Sequence, residues 1–303
     1  MTVRRRIGRE IRRVNRWLHP LNRRQVLEAL QTFGPFPTQG LMVHTALSAC
    51  GYIRGGPATV IQALRTWIRE RDLVMPTHTY CYPDKEDRAP RFDPAVTPSR
   101  VGAITDAFWR QPHVVRSLHP THSLACLGAG AERLCARHEL CDTPCGVGTP
   151  YEKLVTQEFS VLMFGVTLNT YTLFHTAEDA AQVPYLYDSR PYRLQVVDRA
   201  GQIRQITMRR HDMSIIRCFA QMDSWLEERQ LLIRRSLGLG QLLFIPNARA
   251  AHQQLVEALR IDPLLLVAPA VRASVASSSK IPSQKDFGFA RPRASLGGMP
   301  KSG

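Results

Sequence analysis

No run of about 18 or more apolar residues occurs in this 303-residue chain, so a membrane-spanning helix is not expected. The N-terminus is charged, but no apolar stretch follows it, so no secretory signal is expected. Cysteine is scarce: seven residues lie at scattered positions, in a chain long enough to bury its own core. That pattern excludes a disulfide scaffold and predicts a reducing, cytoplasmic compartment. His119, His122 and Cys126, or Cys141 and Cys145, do not make the paired spacing of a structural zinc site, so no metal is expected. A G-x-S-x-G elbow is missing, which argues against a Ser-His-Asp hydrolase, and so is any recognised nucleic-acid motif. Acidic residues are the scarcer charge: 25 Asp and Glu stand against 40 Lys and Arg, leaving a net charge of +15. Such a balance favours anionic partners, among them phosphates, nucleic acid, acidic sugars and the inner membrane surface.

The basicity is uneven. Arg4, Arg5, Arg6, Arg9, Arg12, Arg13 and Arg16 crowd one end, where Ile7, Ile11, Val14 and Leu18 recur at helical spacing. Residues 1–22 therefore read as a basic helix. It is suited either to peripheral contact with a membrane or polyanion or to docking a narrow apolar stripe on the domain. From about residue 266 to 303, Ser, Ala, Pro, Arg and Lys dominate and predict a disordered tail.

Between these ends, short apolar runs alternate with amphipathic segments, the pattern of an α/β domain over about 23–265. Helices are expected over 23–34, 57–70, 101–109, 131–137, 151–155, the stretch ending near 179, 213–230 and 248–259. Strands are expected over 40–44, 73–80, 124–128, 159–166 and 242–245, with a hairpin over 190–208. After the first strand, Thr45-Ala46-Leu47-Ser48 forms a small-residue turn ahead of a helix, an arrangement that presents backbone N–H groups to a phosphate or carbonyl. Arg116-Ser117-Leu118-His119-Pro120-Thr121-His122-Ser123 sets a histidine beside a proline, which holds it out of helix just before a strand. Histidine suits general-base chemistry near neutrality, although a lone histidine there more often fills a structural role. His175 and Glu178, at i and i+3, share one helical face.

Six segments in order resemble the aminoglycoside N3-acetyltransferase family, also called the antibiotic N-acetyltransferase family. Val43-His44-Thr45-Ala46-Leu47-Ser48, with Gly55-Gly56 after it, is similar to that family's first turn. Met75-Pro76-Thr77-His78-Thr79 is similar to its second strand end. Phe92-Asp93-Pro94 through Thr97-Pro98-Ser99-Arg100 and Gly102 resembles its central loop. Arg116-Ser117-Leu118-His119-Pro120 with Ser123 resembles its histidine motif, Gly148-Thr149-Pro150 a short turn, and Thr172 through Glu178 its closing helix. The resemblance implies an α/β fold with a central mixed sheet flanked by helices, and direct transfer of an acetyl group from acetyl-CoA to an amine.

By the same resemblance, His119 would be the general base and Glu178 its acidic partner or a substrate contact. His44, Thr45, Ala46, Leu47, Ser48, Thr77, Ser99, Arg100, Val101 and Gly102 would hold the donor. His78, Asn169, Thr172, His175 and Glu178 would meet the acceptor. A histidine paired with a carboxylate can take a proton from an amine, and N–H groups of the 45–48 turn would steady the developing oxyanion. Three departures bear on the acceptor. Ala46 replaces a usual hydroxyl, Asn169 stands where many members are acidic, and Tyr171 stands where many carry a second polar residue. With the positive net charge, these favour an amine-bearing sugar or metabolite other than a clinical aminoglycoside. A non-catalytic polyanion- or membrane-surface binder on the same fold is the alternative.

Overall fold

Residues such as Leu41, Met42 and Val43 are apolar on both faces of their strand, which requires a sheet covered on both sides. In the computed structural model, which describes residues 20–82 and 90–277, that sheet has seven strands. They are β1 (Gly40–Thr45), β2 (Asp72–Pro76), β3 (Val115–Arg116), β4 (Leu124–Leu127), β5 (Phe159–Phe164), β8 (Ile233–Leu237) and β9 (Gly240–Ile245), in the order β3-β4-β2-β1-β5-β9-β8. β6 (Tyr192–Val197) and β7 (Ile203–Met208) form a separate antiparallel hairpin, as expected. The basic segment at 1–19, the 83–89 stretch of the long loop and residues 278–303 lie outside the described residues.

β1 pairs in parallel with β2 and β5, and the flanking pairs β2–β4, β3–β4, β5–β9 and β8–β9 are antiparallel. The sheet is therefore mixed, with a parallel centre. Alternation along the strands builds two cores. Leu41, Val43, Leu162 and Phe164 pack with helices α1 (Arg23–Gln31), α2 (Gly56–Ile68) and α3 (Ala103–Trp109). Met42, Val161 and Met163 pack with α4 (Ala131–Cys135), α5 (Pro150–Thr156), α6 (Leu173–Ala180), α7 (Met222–Glu228) and α8 (Ala248–Ile261) on the other face. Asn22 begins α1 with a reciprocal cap, its side chain accepting from the Gln25 N–H at 3.1 Å while Gln25 accepts from the Asn22 N–H at 3.0 Å. Asn247 caps α8 by accepting from the Ala250 N–H at 2.9 Å. At Gly40 an added Cβ would overlap the Phe159 ring on the neighbouring strand, so glycine is what lets β1 and β5 approach.

The strand expected over 73–80 ends at Pro76, β3 was not expected, and three larger departures follow. The expected helix over 213–230 is only Met222–Glu228, preceded by a 3₁₀ turn at Phe219–Gln221. Residues ahead of it form a turn and isolated bridges in place of helix: Arg217 bridges Val267, and the Cys218 N–H donates to the Leu266 carbonyl at 2.9 Å. Met213 and Ile216, which a helical reading would turn inward, are exposed. Second, β8 went unseen because Arg234 and Arg235 hide a strand that lies at the sheet edge, where charge on a strand is common. Third, the expected tail does not begin at 266. Leu266 and Val267 are fully buried, and α9 (Arg272–Ser277) follows a 3₁₀ turn at Pro269–Val271. Arg272 ties this segment down, donating to Asp262 and to the Leu265 and Val267 carbonyls.

A chain ending at Leu265 is expected to lose about 3–6 kcal/mol of stability relative to one ending at Ser277, because two fully buried aliphatic side chains disappear. Urea denaturation of the two truncations checks this, and equal midpoints would refute it.

Candidate active site

The three parallel strands bring their carboxyl ends, Thr45, Pro76 and Phe164, to one edge of the sheet. β4 runs the opposite way, with Leu124 opposite Pro76, so the 117–123 segment reaches the same edge. Carboxyl edges of parallel strands are where α/β sheets bind ligands. A cavity of about 310 Å³ opens there.

Of the residues singled out from the sequence, His44, Thr45, His78, Val101, Asn169, Thr172 and His175 line this cavity. Ala46, Leu47 and Ser48 continue from Thr45 into a 3₁₀ turn, Leu47–Cys50. The Ala46 N–H donates to the Phe164 carbonyl at 2.8 Å, so it is committed to the fold and does not serve an oxyanion. Ser99 is tied to the start of α3, its hydroxyl 3.0 Å from that of Thr105, and the Arg100 N–H donates to the His78 carbonyl at 2.8 Å. Gly102 has φ +127°, and a Cβ there would stand 3.4 Å from the Thr45 carbonyl. Glycine thus lets the 99–102 loop close on the 45–48 turn. Thr77, His119 and Glu178 are fully buried and are not among the lining residues.

The sequence reading and the geometry diverge most at the histidine motif. His119 Nδ1 accepts the N–H groups of Thr121 and His122 at 3.2 and 2.8 Å, and its ring packs 4.3 Å from that of His138. It is a turn-forming core residue. Its neighbours in the motif are structural too. Arg116 donates to the carbonyls of Thr77 and Thr97 at 3.0 and 2.5 Å and lies over the Trp109 and Phe92 rings. Burial pushes this guanidinium down to about 10. Ser117 accepts from the Leu124 N–H at 3.0 Å and donates to His138 Nδ1 at 2.9 Å, while His138 Nε2 donates to the Pro144 carbonyl at 3.1 Å. Ser123 donates to the Thr77 carbonyl at 2.7 Å. The motif clamps the long loop and the end of β2 to β4.

Among the histidines that line the cavity, His175 is the one paired with a carboxylate. It stands near the start of α6, lines the cavity, and keeps 19% of its side chain exposed. Its Nδ1 lies 2.6 Å from Glu178 Oε2, and Glu178 is fully buried. Burial pushes the Glu178 carboxyl up, but the hydrogen bond and charge of His175 and the charge of Arg217 outweigh it and hold the group below the usual carboxylate range. An ionised carboxylate only accepts, so Nδ1 carries a proton, and in the neutral imidazole the basic nitrogen is Nε2, across the ring. Arg217 completes the arrangement with Nε 2.9 Å from Glu178 Oε1.

The cavity is otherwise a layer of neutral histidines. His78 and His122 stack at 4.6 Å, His122 and His211 at 5.3 Å, and His211 and His175 at 4.1 Å. Tyr151 donates to the His122 carbonyl at 3.1 Å and therefore accepts from His78 Nε2 at 2.9 Å. Burial, then mutual repulsion, pushes His44 and His78 down to about 3 and His122 and His211 well below their usual value. No Asp, Glu, Lys or Arg lines the cavity among the described residues. Nor does any group of three or more His, Cys, Asp or Glu among them stand ready to hold a metal ion. His44 Nε2 and the Thr45 hydroxyl, both buried at the cavity, have no hydrogen-bond partner among the described residues. Sequence reasoning missed Tyr82, His122, His211, Arg217 and Phe219. His122 sat inside the quoted motif, but the others come from loops with no local signature.

Histidines held neutral by burial bind fewer protons folded than unfolded at any pH between their depressed values and the ordinary 6.5. Stability is therefore expected to fall as pH drops below about 6.5, by up to about 1.4 kcal/mol per pH unit for each such histidine. Thermal denaturation across pH 5–8 reads this, and a flat profile down to pH 5 would contradict it.

The family profile described as "Aminoglycoside 3-N-acetyltransferase" matches residues 42–259. Aminoglycoside N(3)-acetyltransferase VII of Streptomyces paromomycinus is 35% identical over 181 residues, 54% of this chain and 62% of that protein. The chain thus spans a little under two thirds of that relative's length. The crystal structure of aminoglycoside acetyltransferase AAC(3)-Xa superposes with a TM-score of 0.72 at 28% identity, over 81% of this chain and 94% of that one. AAC-IIIb in its binary complex with CoASH superposes with a TM-score of 0.71 at 25% identity, over 80% and 97%. The profile match spans well over half of the chain, and the chain belongs to the aminoglycoside 3-N-acetyltransferase family.

Proposed function

We propose that this chain transfers an acetyl group from acetyl-CoA to an amine of an aminoglycoside or related amino sugar, with His175 as general base. The observation that carries the reading is the His175–Glu178 pair at the cavity wall, 2.6 Å apart, one member reachable and the other buried and ionised. An amine is largely protonated near neutral pH and attacks a thioester only once deprotonated. The free amine, its ammonium proton already released to solvent, attacks the thioester carbonyl; His175 Nε2 takes the second proton leaving the nitrogen as the C–N bond forms, and Glu178 stabilises the imidazolium. The Thr45 hydroxyl, without a partner among the described residues, is a donor for the carbonyl oxygen as it gains negative charge. The C–S bond then breaks, and His175 returns its proton to the departing thiolate. No covalent enzyme intermediate is needed. The buried thiols support that: burial pushes Cys50 up to about 12 and Cys145 well above its usual value.

The donor fits the joined 45–48 and 99–102 segments, where Gly102 lets the loop lie against the Thr45 carbonyl and Arg100 is exposed beside it for an anionic group. AAC-IIIb, which shares the fold, has been crystallised with CoASH. For the acceptor, a lining without carboxylates among the described residues and the exposed Asn169 favour an amino sugar of low charge over a polycation. The alternative of a polyanion-binding protein draws nothing from this cavity, whose lining holds no cation among the described residues.

His175→Ala is expected to lower kcat about 10²–10⁴-fold, the usual contribution of a general base. His119→Ala should lower thermal stability and keep kcat within about tenfold, because His119 acts only through packing and its turn. Thiol release from acetyl-CoA measures both, and the reverse pattern would return the base to His119. In the same assay, a panel of mono-amino sugars and polycationic aminoglycosides is expected to show higher kcat/KM for the former. Preference for the polycations would reject the low-charge acceptor.

A further inference from the structure

Glu178 has a second partner, brought from far along the chain. Arg217 Nε donates to Glu178 Oε1 at 2.9 Å and lies 3.3 Å from Oε2, the oxygen that also receives His175 Nδ1. The guanidinium is fixed from behind: it donates to the Asp212 carbonyl at 3.0 Å and sits 5.5 Å from the centre of the Tyr185 ring. Its backbone is pinned by the bridge to Val267 and the Cys218-to-Leu266 bond. Its side chain is 9% exposed, so water screens the pair little.

We propose that Arg217 is a positioning residue for the acetyl transfer, acting through Glu178. It holds the carboxylate against His175 and withdraws part of its negative charge from the imidazole. The inference rests on the His175 reading above. A buried carboxylate with one imidazole partner stabilises the imidazolium strongly, and a base that binds its proton too well returns it slowly to the departing thiolate. A guanidinium on the same carboxylate opposes that. The other titratable groups facing this pair are His211, His78 and His122 around the His175 ring, and Tyr185 and Cys145 beside Glu178. None of these is a standing cation: the three histidines are held neutral by burial, and Tyr185 and Cys145 stay protonated. Arg217 is the positive charge in contact with the carboxylate.

The test compares Arg217→Met, Arg217→Lys and the parent by thiol release across pH 5.5–9. Arg217→Met should move the acid limb of kcat/KM upward by on the order of one pH unit, the effect of removing one charge at this range. Below that limb its kcat/KM falls about tenfold relative to the parent, while KM for acetyl-CoA stays within about twofold. Arg217→Lys should restore the parent's limb. In a Glu178→Gln background, Arg217→Met should no longer move it. An unmoved limb in Arg217→Met, or an equal movement in the Glu178→Gln background, would overturn the proposal. If Arg217→Met does not fold, Arg217→Lys decides alone: a limb within about 0.3 unit of the parent's supports the charge role, and a displaced one overturns it. Loss of the general-base reading would instead appear as full activity in His175→Ala, which leaves the Arg217 result separate.

Discussion

A carboxylate with no access to water is the constraint around which this site is arranged. Glu178 would not stay ionised by itself at full burial. It does so because His175, three residues earlier on the same helix, and Arg217, from a distant loop, both donate to it. Two consequences follow from one contact set. The imidazole is held in a single tautomer with its basic nitrogen across the ring. The 211–218 segment is drawn out of helix, so that Arg217 can reach inward and Phe219 and His211 can wall the cavity.

The opposite solution appears on the other side of the cavity. There, histidines are buried without carboxylates and remain neutral, stacked on one another and tied by Tyr151, Thr121 and backbone groups. Arg116 is a buried cation, yet it too lacks a direct carboxylate partner among the described residues; carbonyl oxygens and two aromatic faces replace the lost water. A conspicuous sequence motif thus does architectural work, holding the loop that carries Ser99–Gly102 against the end of β2. A proton-transfer group must be reachable, and His119 is fully buried while His175 lines the cavity.

Much of the fold was legible in the chain itself. The alternation of buried strands and amphipathic helices, the caps at Asn22 and Asn247, and the 190–208 hairpin follow from local patterning, which depends on near neighbours. The turn at 45–48 and the helix bearing His175 and Glu178 could be placed at a site from their own residue types and spacing, whereas the loop at 99–102 was placed there by the family resemblance. The sequence by itself therefore determined the α/β architecture, the family resemblance and a minority of the residues on the cavity wall, among them His44, His78 and His175. Only the tertiary structure decided that His175 lines the cavity while His119 does not, that Arg217 shares Glu178 with His175, and that Leu266 and Val267 belong to the core. The reason is physical: burial, and the pairing of a charge with a partner about forty positions away, are properties of where the chain crosses itself, and no local spacing encodes that crossing.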